Sequence, residues 1–199
     1  MFQAFIKKLL LVFIFSVSSL LTAEDYQAGK HYQVLSEPIA TRDSKKIEVI
    51  EFFWFGCGHC FSLENQLNSW EEELSDDIDF WRSPITWNEM AKTHAKLFYA
   101  AEFFKKPAII RDTFLSIHAN QRMMTSDREL KPFFASFGIA EDQYQSLFNS
   151  FAMQNKIRRA DTFGLKYEIR GVPAFIVNGK YKVSASRQVG TSELLDVVD

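Results

Sequence analysis

Only two cysteines occur in the 199 residues, Cys57 and Cys60, so any thiol chemistry is confined to one Cys-x-x-Cys. No second cysteine pair and no His-x3-5-His spacing is present to complete the roughly four ligands of a zinc site. The sequence has no basic run and a formal net charge of −2, which leaves nucleic-acid binding without support. Internal repeats and low-complexity tracts are also missing. What remains is an ordinary globular composition, 47% hydrophobic and 24% charged, enough for one sizeable core. The 20 phenylalanines stand out and point to a strongly aromatic core and an apolar surface groove.

The two cysteines follow an apolar run, Ile47 to Phe55, that reads as a strand covered on both faces. Phe61 to Leu74 follows with helical spacing, so Cys57 falls where a strand turns into a helix. Unpaired N–H groups and the positive end of the helix dipole stabilise an anion there, which lowers a thiol pKa and raises its reactivity. A structural disulfide fits poorly, because the stabilisation depends on the loop closed and this loop is minimal. Inert packed thiols fit poorly too, since Gly58 and His59 suit a tight polar helix start. A redox dithiol is the reading left.

Phe53-Trp54-Phe55-Gly56-Cys57-Gly58-His59-Cys60, together with Arg170-Gly171-Val172-Pro173-Ala174-Phe175-Ile176-Val177-Asn178-Gly179-Lys180-Tyr181, resembles the DsbA family of bacterial periplasmic thiol:disulfide interchange proteins. The resemblance spans about residues 27–198, strongest in these two blocks. It implies an α/β architecture, a thioredoxin fold with a helical domain inserted between its βαβ and ββα units. It also implies a protein disulfide oxidoreductase with no cofactor and no metal, in which Cys57 is the nucleophile and Cys60 the resolving thiol of a redox-active disulfide. His59 and Gly58 set the redox poise, His59 by favouring the thiolate; the alternative is an exposed histidine with no energetic role. Many members have Pro where this chain has Gly58, and Cys-Gly-His-Cys is the motif of protein disulfide isomerase. Glu51 is either the buried acid that moves protons to and from Cys60 or a strand-face carboxylate paired with a lysine or turned to solvent. An X-Pro bond is ordinarily trans; the resemblance implies a cis Val172-Pro173 bond facing Cys57, with the Val172 backbone pairing with extended substrate. His31, His94 and His118 join no constellation and read as structural or exposed.

At the N-terminus, Lys7 and Lys8 precede an apolar stretch from Leu9 to Leu21, and Leu21-Thr22-Ala23 offers a small residue for cleavage. This is a secretory signal pattern, shorter than the ~20 residues of a spanning helix, with an uncleaved anchor as the alternative. Residues 1–23 are therefore expected to be a signal peptide cleaved after Ala23, which sends the dithiol to the oxidising periplasm. Residues 24–87 form the first part of a thioredoxin-like domain, 88–167 the helical insertion and 168–199 the second part. Within the insertion, Lys105-Lys106-Pro107 separates two helices, Ser126-x-x-Glu129 resembles a capping box, and Gly138 reads as a helix stop. Asn178-Gly179 is a strong hairpin signal. The last helix, from Ser192, is short for the family resembled.

The leading expectation is a monomeric oxidase that donates its disulfide to unfolded exported polypeptides and is recycled by a membrane DsbB-like reoxidase. The alternatives are an isomerase or reductase kept reduced by a membrane donor, or a non-enzymatic chaperone for apolar peptides. The usual isomerases carry a separate N-terminal domain, and the 20–25 residues between the cleavage site and the first strands are too few for one.

Overall fold

The structure is a computed structural model that describes residues 26–199; the signal peptide expected over 1–23 lies outside them. Five strands form one mixed sheet: β1 (Tyr32–Val34), β2 (Ile47–Phe53), β3 (Ile78–Pro84), β4 (Ala174–Val177) and β5 (Tyr181–Ser184). Their order is β1-β5-β4-β2-β3, with β2 parallel to β3 and the other pairings antiparallel. The parallel pair needs a crossover, and α1 (Gly58–Glu72) supplies it. Between β3 and β4 lie five helices: α2 (Glu89–Phe103), α3 (Ala108–His118), α4 (Asp127–Ser136), α5 (Glu141–Asn149) and α6 (Phe151–Lys166). The thioredoxin fold with an inserted helical domain, expected from the sequence, is the architecture observed.

β2 is a run of buried residues from Glu48 onward because it is central in the sheet and covered on both faces. Val49 packs with Leu63 and Leu67 of α1 on one face, joined by Phe175, Val183, Leu194 and Leu195. Ile50 and Phe52 point the other way, into a cluster with Ala91, Tyr167 and Ile169. Phe53 and Phe55 lead into the third cluster, made with the inserted helices, where Phe114, Phe134, Tyr144 and Phe148 meet mostly edge to face. Ten of the 20 phenylalanines, seven buried and three partly buried, belong to this cluster.

Local signals in the sequence have identifiable counterparts. The Glu129 carboxylate accepts from the Ser126 N–H and hydroxyl at the start of α4. Gly138 has φ +71 after α4, the left-handed stop that glycine adopts without a Cβ penalty. Asn178 and Gly179 both have positive φ, and a Cβ on Gly179 would sit 1.9 Å from the Ile39 carbonyl oxygen. The helical period from Tyr144 to Tyr167 is broken at Ser150, whose extended backbone (ψ 153) ends α5 while its hydroxyl caps α6 through the Met153 N–H. The terminal segment is a 3-10 turn, Thr191–Glu193, followed by the short helix α7 (Leu194–Val198).

Candidate active site

Cys57 is the N-cap of α1, with extended backbone, and its Sγ accepts from the Cys60 N–H at 3.4 Å. The two thiols are unpaired; Cys57 is half-buried and Cys60 is 1% exposed. Their environments push them apart. Hydrogen bonding from the Cys60 thiol, outweighing partial burial, and then the N–H groups of Cys60 and His59 and the His59 charge, bring the Cys57 pKa down from 9.0 to about 6. Cys60 is pushed well up, first by burial, then by its hydrogen bond to Cys57 and the charge of Glu51.

The second sequence block reaches the same place. The Cys57 thiol lies 3.3 Å from the Val172 carbonyl oxygen, to which it donates. The Val172-Pro173 peptide bond is cis. These residues line a groove of about 550 Å³ with Gln33, His59, Arg170 and Lys182. His59 is exposed beside Cys57, and Gly58 opens the helix with nothing within 4 Å of where a Cβ would stand.

Glu51 is completely buried. It is registered opposite Arg82 on the parallel neighbour β3, and the Arg82 Nε donates to its Oε2. The same guanidinium holds Glu64 of α1 with two bonds, at 3.0 and 2.9 Å, and lies 4.4 Å from the centre of the Phe53 ring. One arginine thus faces two carboxylates, and Glu51 Oε1 has no hydrogen-bond partner. Burial, opposed by Arg82 and aided by Glu64, raises the Glu51 pKa from 4.5 to about 7. The reading of Glu51 as a carboxylate paired with a lysine or turned to solvent is overturned. The side chain is buried, and it is paired with an arginine rather than a lysine or solvent.

Sequence reasoning passed over several residues around the dithiol. Arg82 and Glu64 needed the strand register and the crossover helix to meet Glu51; the Cys60-to-Glu64 interval of one helical turn is the only sequence hint. The two histidines of the insertion are structural, but they bear on the dithiol loop. Trp54 Nε1 donates to His94 Nδ1 at 3.0 Å, and His94 Nε2 lies 2.8 Å from the Met123 carbonyl. Burial lowers the His94 pKa, in keeping with an acceptor nitrogen. His118 Nε2 lies 2.7 Å from the Phe55 carbonyl, and its ring stacks on Phe61 at 4.7 Å and 8°. His31 accepts from the Gln27 N–H at 2.8 Å.

A thioredoxin fold with an acidic, accessible cysteine capping a helix and a shielded partner one turn along defines a thiol:disulfide oxidoreductase. Known proteins narrow that class. A family model described as a DSBA-like thioredoxin domain matches residues 66–196. The thiol:disulfide interchange protein DsbA of Pseudomonas aeruginosa is 33% identical over 178 residues, covering 89% of this chain and 84% of its own. That of Azotobacter vinelandii is 31% identical over 180 residues, covering 90% and 84%. The crystal structure of Pseudomonas aeruginosa DsbA superposes with a TM-score of 0.82 at 32% identity, covering 89% of this chain and 93% of its own. The chain belongs to the DsbA family and is a protein disulfide oxidoreductase.

Proposed function

We propose that this protein runs as an oxidase, donating the Cys57–Cys60 disulfide to unfolded polypeptides exported to the periplasm. The observation that carries the direction is the separation of the two thiols: Cys57 is drawn down to about 6 while Cys60 is pushed up. A stabilised Cys57 thiolate favours the reduced protein and so makes the disulfide form more oxidising.

A substrate thiolate attacks the Cys57 sulfur, and the S–S bond to Cys60 breaks with its electron pair leaving on Cys60. The buried Cys60 thiolate takes up a proton, and in this reading Glu51, a carboxyl raised to about 7 whose charge acts on Cys60, relays it. A second substrate thiolate attacks the substrate sulfur of the mixed disulfide and releases the Cys57 thiolate. Two substrate thiols become one disulfide, and the protein disulfide becomes a dithiol. In this reading the backbone of the half-buried Val172, with Pro173, holds the substrate chain in strand fashion beside Cys57. His59 contributes positive charge next to the thiolate. Reoxidation falls to a membrane partner of the DsbB type, the protein acts as a monomer, and the leader over residues 1–23 delivers it.

The test is to mix the oxidised protein with a reduced, unfolded peptide carrying two cysteines at neutral pH. One peptide disulfide should form per protein disulfide consumed. A mixture that leaves the peptide reduced, with a glutathione equilibrium as reducing as that of thioredoxin, would favour the reductase alternative. Alkylation of the reduced protein in mildly acid buffer should label Cys57 alone; equal labelling of both thiols would overturn their roles.

A further inference from the structure

The C-terminal segment makes an unassigned contact with the dithiol motif. The hydroxyl of Thr191 lies 3.3 Å from His59 Nδ1, across 132 positions of sequence. The turn that carries it is fastened at several points. The Gly190 N–H donates to the Glu193 carboxylate at 2.7 Å, and the Glu193 N–H to the Gly190 carbonyl at 3.1 Å. The Gln66 side chain of α1 donates to the Ser192 carbonyl at 3.1 Å. Leu194 and Leu195, just beyond, are buried against Leu63 and Leu67 of the same helix. The turn is therefore bolted to α1, whose N-terminus holds Cys57, and Thr191 is presented to the His59 ring from a fixed base.

We infer that Thr191 is a positioning residue that sets the redox poise of the dithiol by holding the His59 imidazole with its Nε2–H free for the Cys57 thiolate. A hydroxyl both donates and accepts. Beside a neutral ring it donates to Nδ1, which leaves the proton on Nε2. Beside an imidazolium it accepts from Nδ1–H, and Nε2 still carries a proton. In either state one ring nitrogen is occupied by Thr191 and the other remains a donor, so the ring keeps an N–H to offer the anion and is restricted in the rotamers it samples. An untethered exposed histidine would spend its time among several rotamers, and its effect on the sulfur would be diluted by solvent. The short C-terminal turn and helix thereby acquire a role in the chemistry as well as in the core.

The inference rests on the reading that His59 stabilises the Cys57 thiolate, and the experiment separates the two. The Cys57 pKa is followed by thiolate absorbance, and the equilibrium of protein disulfide plus two glutathiones with protein dithiol plus oxidised glutathione is measured, in four variants: Thr191→Val, Thr191→Ser, His59→Ser, and His59→Ser with Thr191→Val. Thr191→Val should raise the Cys57 pKa and move the glutathione equilibrium roughly two- to fivefold toward the protein disulfide, the size of one partly exposed hydrogen bond. Thr191→Ser should restore both. In the His59→Ser background, Thr191→Val should change neither. If Thr191→Val leaves the pKa and the equilibrium in place while His59→Ser moves them, the positioning role is wrong and the His59 reading stands. An equal effect of Thr191→Val without His59 would mean that the turn acts through the helix and not through the ring. If His59→Ser changes nothing, the His59 reading itself falls and this inference with it.

Discussion

The gap in stability between the reduced and the oxidised protein should widen in favour of the reduced form as pH rises from about 5 to about 8.5. The cause is Cys57, whose pKa is lowered from 9.0 to about 6 in the native dithiol. A thiol more acidic folded than unfolded stabilises the native state fully above its unfolded pKa. That stabilisation is lost as pH falls through the folded pKa, so for Cys57 the window runs from 9.0 down to about 6. At about 1.4 kcal/mol per pH unit the full difference approaches ~4 kcal/mol. Cys57 is only half-buried, and solvent screening brings this to about 2 kcal/mol, or under ~1 kcal/mol at neutral pH, where a third of the window has been crossed. Glu51, raised to about 7, has the opposite sign and loses stability as pH rises from 4.5, but it does so in both redox forms and largely cancels in the difference. Cys60 is pushed up, so its effect begins only above the ordinary thiol range. The disulfide crosslink itself adds a pH-independent offset of about 2 kcal/mol toward the oxidised form for so short a loop. The slope is therefore the diagnostic, and the order of the two forms at one pH is not. Urea unfolding of both forms across this range should show the difference rising by about 1–2 kcal/mol, equivalent to a few degrees in Tm. Reduced Cys57→Ser should lack the rise. A flat difference, one that falls with pH, or a rise that survives in Cys57→Ser would refute the thiolate argument.

Glu51→Gln removes one of two carboxylates facing a single buried arginine and leaves the two-bonded Arg82–Glu64 pair intact. Thermal stability above pH 7 should hold or rise by about 1 kcal/mol while turnover of a two-cysteine peptide slows; lower stability with full activity would make Glu51 a structural ion-pair partner only. Gly58→Pro should fold without loss, because proline suits the first helical position and nothing stands within 4 Å of the added Cβ; melting several degrees lower would refute this. It should also shift the glutathione equilibrium, since the residue lies between the two thiols. His118→Phe keeps a ring against Phe61 but loses the bond to the Phe55 carbonyl, and should cost about 1 kcal/mol in urea unfolding. Gly179→Ala, with φ +63 and a backbone oxygen at 1.9 Å from the new Cβ, should cost more than the ~1 kcal/mol of a left-handed alanine alone; a fully stable variant would mean the hairpin shifts freely.

Much of the fold was legible because its signals are local. Seven of nine positions from Ile47 to Phe55 are apolar, and burial on both faces demands that whatever the partners are. Ser126 and Glu129 cap α4, and Asn178-Gly179 turns the chain, through atoms within a few residues of each other. The break at Ser150 was less visible, because the apolar period runs on through it and a single serine decides where α5 ends.

Sequence by itself determined that this is a one-dithiol protein, that Cys57 begins a helix, and that Arg170-Gly171-Val172-Pro173 belongs with it. The first two follow from residue type and spacing, and the third from the resemblance to the DsbA family. Only the tertiary structure decided what surrounds the sulfur atoms. Arg82 lies 31 residues from Glu51, and Glu64 lies 18 from Arg82. His118 lies 63 from Phe55, and Thr191 lies 132 from His59. These partners meet through the parallel register of β2 and β3, the crossover of α1, and the packing of the insertion and C-terminus onto them. Burial and charge set a pKa through distances in space, and no spacing along the chain encodes those distances until the sheet and helices have closed around the site.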